Sequence, residues 1–135
     1  MTYQVTLDFA EMFFTSPGQR IFNVTIEGQT VLQNFDIYAV AGRYAAVQRT
    51  FIATVADGIL NISGTATVNS AKFCAIQATS TTSSTPTPAP SATPTPSPGT
   101  QATVRINCGG PAYTDTAGQV WAADSYFTGG STKTY

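Results

Sequence analysis

Apolar and polar residues alternate with a period of two along much of the first 78 residues. From Tyr3 to Phe9, every second residue is Tyr, Val, Leu or Phe, with Gln, Thr and Asp between them. Successive side chains of a strand point to opposite faces, so this alternation predicts a strand with one buried face. Similar alternation or short apolar runs predict further strands at Phe22–Ile26, Thr30–Leu32, Phe35–Tyr38, Phe51–Val55, Leu60–Ile62, Thr65–Val68 and Lys72–Gln77.

Turn residues separate these predicted strands. Asp57 and Gly58 stand between two alternating runs, which predicts a hairpin with a type I′ turn, because that turn needs positive φ at both central residues. No segment has a sustained helical period. Many short strands without helices predict an all-β fold, a sandwich of jelly-roll type.

A tract rich in Ser, Thr and Pro, Thr79 to Ala102, divides the chain. Its six prolines stand among small polar residues, with almost no apolar side chain to bury. We therefore expect a disordered, extended linker. An O-glycosylated stalk and a ligand for SH3-type domains are the alternatives for such a composition.

Beyond the tract, the sequence predicts one strand, Thr103 to Cys108, which Gly109-Gly110-Pro111 ends. The remaining residues are rich in Gly and aromatic types without periodicity, which predicts a loop. We expect Trp121 in the core, whereas Tyr126 is equally suited to the core and to a ligand.

Charge is sparse, with six Lys and Arg residues, seven Asp and Glu residues and a net charge of −1. No basic cluster is present, so we expect no nucleic-acid partner. No apolar stretch is long enough for membrane insertion. The first residues resemble a strand rather than a signal peptide, and the pattern starts and stops abruptly. We expect a fragment of a longer exported protein, with the export signal outside this chain.

Histidine is absent from the chain, which excludes a Ser-His-Asp triad and a His-based metal site. Asp8 and Glu11 are the nearest approach to the carboxylate pair of a glycosidase. Two acids near one strand are more often a solvated edge, which is the expectation here. We expect no enzyme activity, no cofactor and no metal.

Several long strings of this sequence resemble malectin-like domains. Val104–Asp115 and Gly118–Gly130 are similar to the opening of that domain, and Tyr3–Phe14 and Gly18–Gly28 are similar to its second half. Lys72–Ile76 resembles its last strand. The resemblance covers nearly the whole chain outside the tract.

The resemblance implies a jelly-roll sandwich that binds carbohydrate without catalysis, at a cell surface or outside the cell. A glucan-like glycan is the implied partner. The resemblance also divides the chain. It implies that residues 1–78 are the C-terminal half of a domain, 79–102 a linker and 103–135 an N-terminal part, and that the family's middle segment is missing. The two parts belong either to neighbouring domains of a tandem array or to one unit in which they fold together. A structural or adhesive repeat is the alternative function.

The resemblance also carries the candidate site. The family's aromatic pair falls on Phe13 and Phe14, its head-loop tyrosine on Tyr126, and its acidic residue near Asn69. Phe13 replaces a residue that is often Tyr, and Asn69 replaces an acid. Stacking by Phe14 and Tyr126 is the expected anchor for a sugar, with hydroxyls bound by Asn69 and by the Gly109-Gly110 and Gly129-Gly130 turns.

Cys74 falls on the last strand of the C-terminal half and Cys108 on the first strand of the N-terminal part. In the family these strands lie in one sandwich, so a disulfide between them is conceivable. Two buried free thiols are an equal alternative. Because the middle segment is missing, an exposed sheet edge is expected to invite pairing with a second copy.

Overall fold

A computed structural model of the chain describes residues 1–81, 101–125 and 128–129. Within these residues the chain forms strands and one short helix. The elements are β1 (Thr2–Ala10), β2 (Ile21–Ile26), β3 (Gln29–Phe35), α1 (Ile37–Ala41), β4 (Ala46–Thr54), β5 (Ile62–Val68), β6 (Ala75–Ser80), β7 (Thr103–Asn107), β8 (Tyr113–Thr114) and β9 (Val120–Ala123). The prediction of an all-β sandwich is confirmed.

The strands form two sheets. The larger sheet has the order β4-β1-β6-β7-β9-β8 and the smaller one β3-β2-β5. β1 pairs antiparallel with β4 on one side and with β6 on the other, so that Leu7 lies opposite both Arg49 and Ile76. Only the β7–β9 pair, among these described strands, is parallel.

The core lies between β1 and the smaller sheet. Val5 and Leu7 of β1 and Phe22 of β2 are fully buried, and Phe9 is 1% exposed. The ring of Phe9 lies 5.9 Å from that of Phe22 and 5.0 Å from that of Phe35. Each such side chain contributes about 1.5–3 kcal/mol through burial, so the alternating strands account for most of the stability of this part.

The strand predicted at Phe35–Tyr38 is wrong, because β3 ends at Phe35 and a helix follows. The Oδ1 atom of Asp36 accepts a hydrogen bond from the backbone N–H of Ala39 (3.0 Å), which caps the start of α1. α1 has five residues, and no helix in the described part of the chain is long and apolar enough to cross a bilayer.

The hairpin predicted at Asp57-Gly58 is also wrong. β4 pairs with β1 and β5 pairs with β2, so this segment crosses from one sheet to the other. Gly58 has a positive φ of 85°, but Asp57 does not. The Oδ1 atom of Asp57 instead accepts a hydrogen bond from Ile59 N–H (3.0 Å), a local turn that needs no facing strand.

The residues after the tract join the larger sheet. β7 pairs antiparallel with β6 and corresponds to the strand predicted at Thr103–Cys108, except that it ends one residue earlier, at Asn107. β6 starts at Ala75 and runs to Ser80, so Thr79 and Ser80 belong to a strand rather than to the predicted linker. Residues 82–100 of the tract lie outside the described residues.

The predicted loop after Pro111 contains a small hairpin, because β8 pairs with β9. Trp121 lies on β9 and is half-buried rather than in the core. Its ring stacks on Tyr113 with centroids 6.1 Å apart, and its Nε1 atom donates to Asp115 Oδ2 (3.0 Å). The hairpin is stabilised by these local contacts, which the absence of periodicity did not indicate.

Candidate functional site

A groove of about 1280 Å³ lies where the smaller sheet faces β6 and β7. Apolar side chains of both sheets form its floor, and loops from both parts of the chain form its rim. The rim includes Phe13, Phe14, Asn69, Asp124 and Ser125. Concave, mostly apolar surfaces with a few polar groups are the usual form of ligand sites.

Phe13 and Phe14 lie in the loop after β1, and their environments differ. Phe13 is 59% exposed, whereas Phe14 is half-buried. Their rings meet edge to face, with centroids 5.1 Å apart at 84°. The guanidinium of Arg20 lies 5.0 Å from the centre of the Phe14 ring, a cation–π contact. Phe13 therefore offers the free aromatic surface, and Phe14 supports it.

A buried carboxylate fixes this loop. Glu11 is fully buried, and its Oε1 atom accepts hydrogen bonds from the backbone N–H groups of Phe13 (2.9 Å) and Phe14 (3.1 Å). Its Oε2 atom accepts from Arg20 Nε at 2.7 Å, an ion pair in which Arg20 is itself 7% exposed. A buried ion pair is tolerated when further hydrogen bonds satisfy both groups, as they do here.

The pKa of Glu11 reflects these contacts. Burial alone would raise it, but the hydrogen bonds from Arg20, Phe13 and Phe14 outweigh burial and hold the pKa below its ordinary value. Glu11 therefore stays charged near neutral pH and serves as a fixed acceptor rather than a proton donor.

The expectation of a solvated acidic edge is wrong for Glu11, which lies in the interior. Asp8 is half-buried on β1, where its Oδ1 atom accepts from Gln48 Nε2 (2.9 Å). The importance of the Glu11–Arg20 pair was missed at the level of sequence. The available signal was the presence of charges beside apolar residues in a chain that has few charges.

Arg20 also ties the loop to the turn after β5. Its Nη1 atom donates to both the backbone oxygen and the hydroxyl of Ser70, each at 2.8 Å. The neighbouring Asn69 adopts a left-handed φ of 61°, which Asn tolerates better than most residues. Asn69 Nδ2 donates to the backbone oxygen of Gln19 (2.6 Å). One buried cation thus helps hold Phe14 and the exposed Asn69 turn in the same groove.

Residues of the second part approach the groove from the other side. Asp124 Oδ2 accepts from the backbone N–H of Gly109 (2.8 Å), and the backbone N–H of Gly110 donates to Asn107 O (3.2 Å). Both N–H groups of this turn therefore have partners inside the protein, and the binding of sugar hydroxyls by the backbone of the Gly109-Gly110 turn stays a prediction. Gly130 lies outside the described residues.

The structure brings Phe13, Phe14 and Asn69 to one groove. Tyr126 lies outside the described residues, but its described neighbours Ser125 and Thr128 line the same groove. No cluster of three or more Cys, Asp or Glu suited to a metal ion occurs in residues 1–81, 101–125 and 128–129.

Cys74 and Cys108 lie at the adjoining ends of β6 and β7. The backbone N–H of Cys108 donates to Cys74 O at 3.0 Å, and both thiols are free. Burial raises the pKa of both thiols, and burial together with the negative charge of Asp124 raises the pKa of Cys108 to about 12.

Comparisons with known proteins identify a family for this chain. The family model of the Malectin domain matches residues 1–87. Malectin domains are carbohydrate-binding modules, typically non-catalytic, and the family binds oligosaccharides such as di-glucose. Malectin-B of Xenopus laevis is 29% identical over 62 residues, and Malectin-A of the same species is 31% identical over 62 residues. Each match covers 46% of this chain, which spans only 22% of the relative's length.

Among solved structures, a Bacteroides uniformis beta-glucuronidase is similar, with a TM-score of 0.53 at 18% identity. A structure of Bacteroides uniformis beta-glucuronidase 2 is similar with a TM-score of 0.52 at 18% identity. Each match covers 57% of this chain and 9% of the other, and at this identity it shows a common fold alone. The family model matches residues 1–87, which are well over half of this chain, so the chain belongs to the Malectin domain family.

Proposed function

We propose that this chain is a non-catalytic carbohydrate-binding module of an exported multidomain protein, acting outside the cell or at its surface. Its ligand is a short, glucan-like oligosaccharide. The observation that carries the proposal is Phe13, an exposed aromatic residue on a hydrogen-bonded loop beside Asn69 in one groove.

The aromatic surface supports sugar binding. A pyranose ring has an apolar C–H face, and an exposed phenyl ring gains free energy when such a face covers it. Phe13 is 59% exposed, and Glu11 holds its backbone N–H at 2.9 Å. A loop fixed before binding loses little conformational entropy on binding, so more of the contact energy remains as affinity.

Polar groups at the rim would select among sugars. The side-chain nitrogen of Asn69 donates to Gln19 O, so its side-chain oxygen is the atom we assign to a sugar hydroxyl. Ser125 and Thr128 bring hydroxyl groups to the same groove. We retain Tyr126, between them in sequence, as a second aromatic contact, although it lies outside the described residues.

The carboxylates favour binding over hydrolysis. Among the described residues that line the groove, Asp124 is the one acid, and it accepts a hydrogen bond from Gly109. Glycoside hydrolysis ordinarily requires two carboxyl groups on opposite sides of the scissile bond.

We also propose that residues 1–78 and 103–135, the C-terminal half and N-terminal part of a malectin-like domain, act as one unit, and that the linker between them begins after Ser80, where β6 ends. The antiparallel pairing of β6 with β7 supports this arrangement.

The alternative function is that of an adhesive or structural repeat, which pairs with a second copy through an exposed sheet edge.

Calorimetric titration with a panel of α- and β-linked glucose disaccharides tests the proposed function. At least one disaccharide should bind, and Phe13→Ala should weaken its binding by about 5- to 30-fold, since stacking groups contribute roughly 1–2 kcal/mol. Ile52→Ala is the matched control, because Ile52 is 66% exposed on β4 outside the groove, and its affinity should not change.

Two results would overturn the proposal. One is the absence of binding to every disaccharide and to soluble glucans by a chain whose β-sheet circular dichroism is intact. The other is equal loss of affinity in both variants. Concentration-dependent dimerisation without sugar binding would favour the adhesive repeat instead.

A further inference from the structure

The β6–β7 ladder joins the two parts of the chain through side-chain pairs that differ between its two faces. On one face the pairs are polar: Arg105 Nε donates to Gln77 Oε1 (2.9 Å), and the hydroxyls of Thr79 and Thr103 lie 3.1 Å apart. On the other face the opposed residues are apolar. These pairs are Ile76 with Ile106 and Ala78 with Val104.

The next pair on the apolar face is Cys74 with Cys108. Ala75 lies opposite Asn107, so the same register places the two cysteines opposite each other. Cys74 and Cys108 lie one residue beyond the last pair of the ladder, and the backbone N–H of Cys108 donates to Cys74 O (3.0 Å) across this end. Opposed residues of neighbouring antiparallel strands have Cα atoms about 4.5–5.5 Å apart, and a disulfide spans about 4.4–6.8 Å, so residues joined directly at the end of such a ladder lie near the reach of a disulfide.

Both cysteines are held in place by their surroundings. The backbone N–H of Cys74 donates to Asp8 O (2.8 Å) on β1, so the strand end is fixed from the other side as well. Both side chains are partly buried, and Cys108 lines the groove. The two thiols are near enough to interact electrostatically, since Cys74 contributes to the raised pKa of Cys108.

We propose that Cys74 and Cys108 form a disulfide that fastens the second part of the chain to the first. The bond would close a loop that contains the whole Ser/Thr/Pro-rich tract. Attachment of β7 would then no longer depend on non-covalent contacts alone. The bond forms or fails to form whether or not the groove binds carbohydrate, so the two proposals are tested separately.

Oxidised glutathione is a sufficient oxidant for this step. One cysteine thiolate attacks the glutathione disulfide, forms a mixed disulfide and expels one glutathione thiolate. The other cysteine thiolate attacks the protein sulfur atom of the mixed disulfide, which closes the Cys74–Cys108 bond and expels the second glutathione. Two protein thiols are oxidised, one glutathione disulfide is reduced to two thiols, and two protons pass through solvent to glutathione.

The surroundings of the thiols predict how fast this exchange runs. Burial raises the pKa of Cys74, despite the nearby positive charge of Lys72, and raises that of Cys108 to about 12. Thiolate is therefore scarce near neutral pH. Oxidation should be slow there without a catalyst and should accelerate as the pH rises.

The test is to equilibrate the full chain in reduced and oxidised glutathione and to measure its intact mass and cysteine-linked peptides. We expect a monomer lighter by two hydrogen atoms, with one cross-linked peptide containing Cys74 and Cys108. Native chain should reach half-oxidation at an oxidised-to-reduced glutathione ratio about 100-fold lower than chain in denaturant, since folding aligns the thiols. Its melting temperature should rise by on the order of 10 °C on oxidation.

A variant with Cys74→Ser and Cys108→Ser serves as the control, and its melting temperature should not respond to glutathione. If it fails to fold, the mass and redox measurements on the unmodified chain still decide the matter. Glutathione adducts on both cysteines, dimers linked between chains, or equal redox ratios in native and denatured chain would each overturn the proposal.

Discussion

The first region of the molecule, residues 1–81, and the second region, residues 101–125 with 128–129, contain similar strands in different surroundings. Val5 and Leu7 of β1 are fully buried, whereas Val104 of β7 is 59% exposed and Val120 of β9 is 66% exposed. Strand formation alone therefore does not bury a side chain. A strand of this chain contributes to a core only where the second sheet covers it.

This difference predicts unequal stability. The first region is stabilised by burial between two sheets, with most of the core in β1 and β2. The second region is attached through the β6–β7 ladder and contacts such as Arg105 with Gln77. Regions with fewer buried apolar contacts open at lower free energy, so we expect the second region to unfold locally before the first.

The largest expected effect comes from truncating the core of the first region. Phe22→Ala should lower the free energy of unfolding by about 3–5 kcal/mol, because it removes a fully buried ring. Val104→Ala should cost less than about 1 kcal/mol, since most of its side chain is in water. Urea denaturation followed by circular dichroism measures both. Similar losses in the two variants would contradict the comparison.

The next effect concerns the buried ion pair. Arg20→Lys keeps the positive charge but lacks the geometry to hold Glu11 and Ser70 together, so we expect a loss of about 2 kcal/mol. Arg49→Lys is the control, because Arg49 donates an exposed hydrogen bond to the backbone oxygen of Gln48 and lies 5.8 Å from the centre of the Phe35 ring, contacts that Lys can largely replace, so the loss should stay below about 1 kcal/mol. Equal stability of the two variants in urea would show that the pair does not fix the loop.

Acid should weaken the first region through Glu11. Its pKa is lower in the folded chain than its ordinary value of 4.5, so its stabilising contribution is complete above that value and is lost as the pH falls through the folded pKa. Thermal melts at decreasing pH should therefore show a steep loss below pH 4.5, and Glu11→Gln should flatten that slope. Asp57→Asn, at an exposed turn, serves as the control. An unchanged slope in Glu11→Gln would exclude Glu11 as the cause.

The smallest effect belongs to the second region, where Trp121 is the single tryptophan of the chain. The hydrogen bond from Trp121 and the backbone N–H of Gln119 lower the pKa of Asp115. Asp115→Asn should loosen the β8–β9 hairpin and move the Trp121 fluorescence transition to lower urea, while the circular dichroism transition stays in place. Coincident transitions in the unmodified chain would show that the two regions unfold as one.

The sequence predicts those strands in which apolar and polar residues alternate because one face packs against the other sheet. β1 and β2 follow from their periodicity, because the facing sheet imposes that period. The helix after β3 could not be predicted from the sequence, because Ile37 and Tyr38 are equally suited to a strand. The hydrogen bond by which Asp36 caps α1 favours the helix in the folded chain. The chain crosses between the sheets at Asp57 because β4 pairs with β1 whereas β5 pairs with β2. A local Asp-Gly turn sequence does not indicate which strands pair.

The candidate site is predicted in part for similar reasons. The resemblance to malectin-like domains points to Phe13, Phe14 and Asn69, and all three lie in the groove. Phe14 is less exposed than Phe13 because Arg20 lies over its ring, and Arg20 is held there by its ion pair with Glu11. Such tertiary contacts have no periodic signal.

The most direct test of sugar binding at this groove is to follow backbone amide resonances during titration with the disaccharide that binds most tightly. The proposed site predicts the largest shifts at Phe13, Phe14 and Asn69 in the first region and at Ser125 and Thr128 in the second. Shifts confined to the outer face of β4 and β1, or no shifts at a saturating concentration, would contradict it.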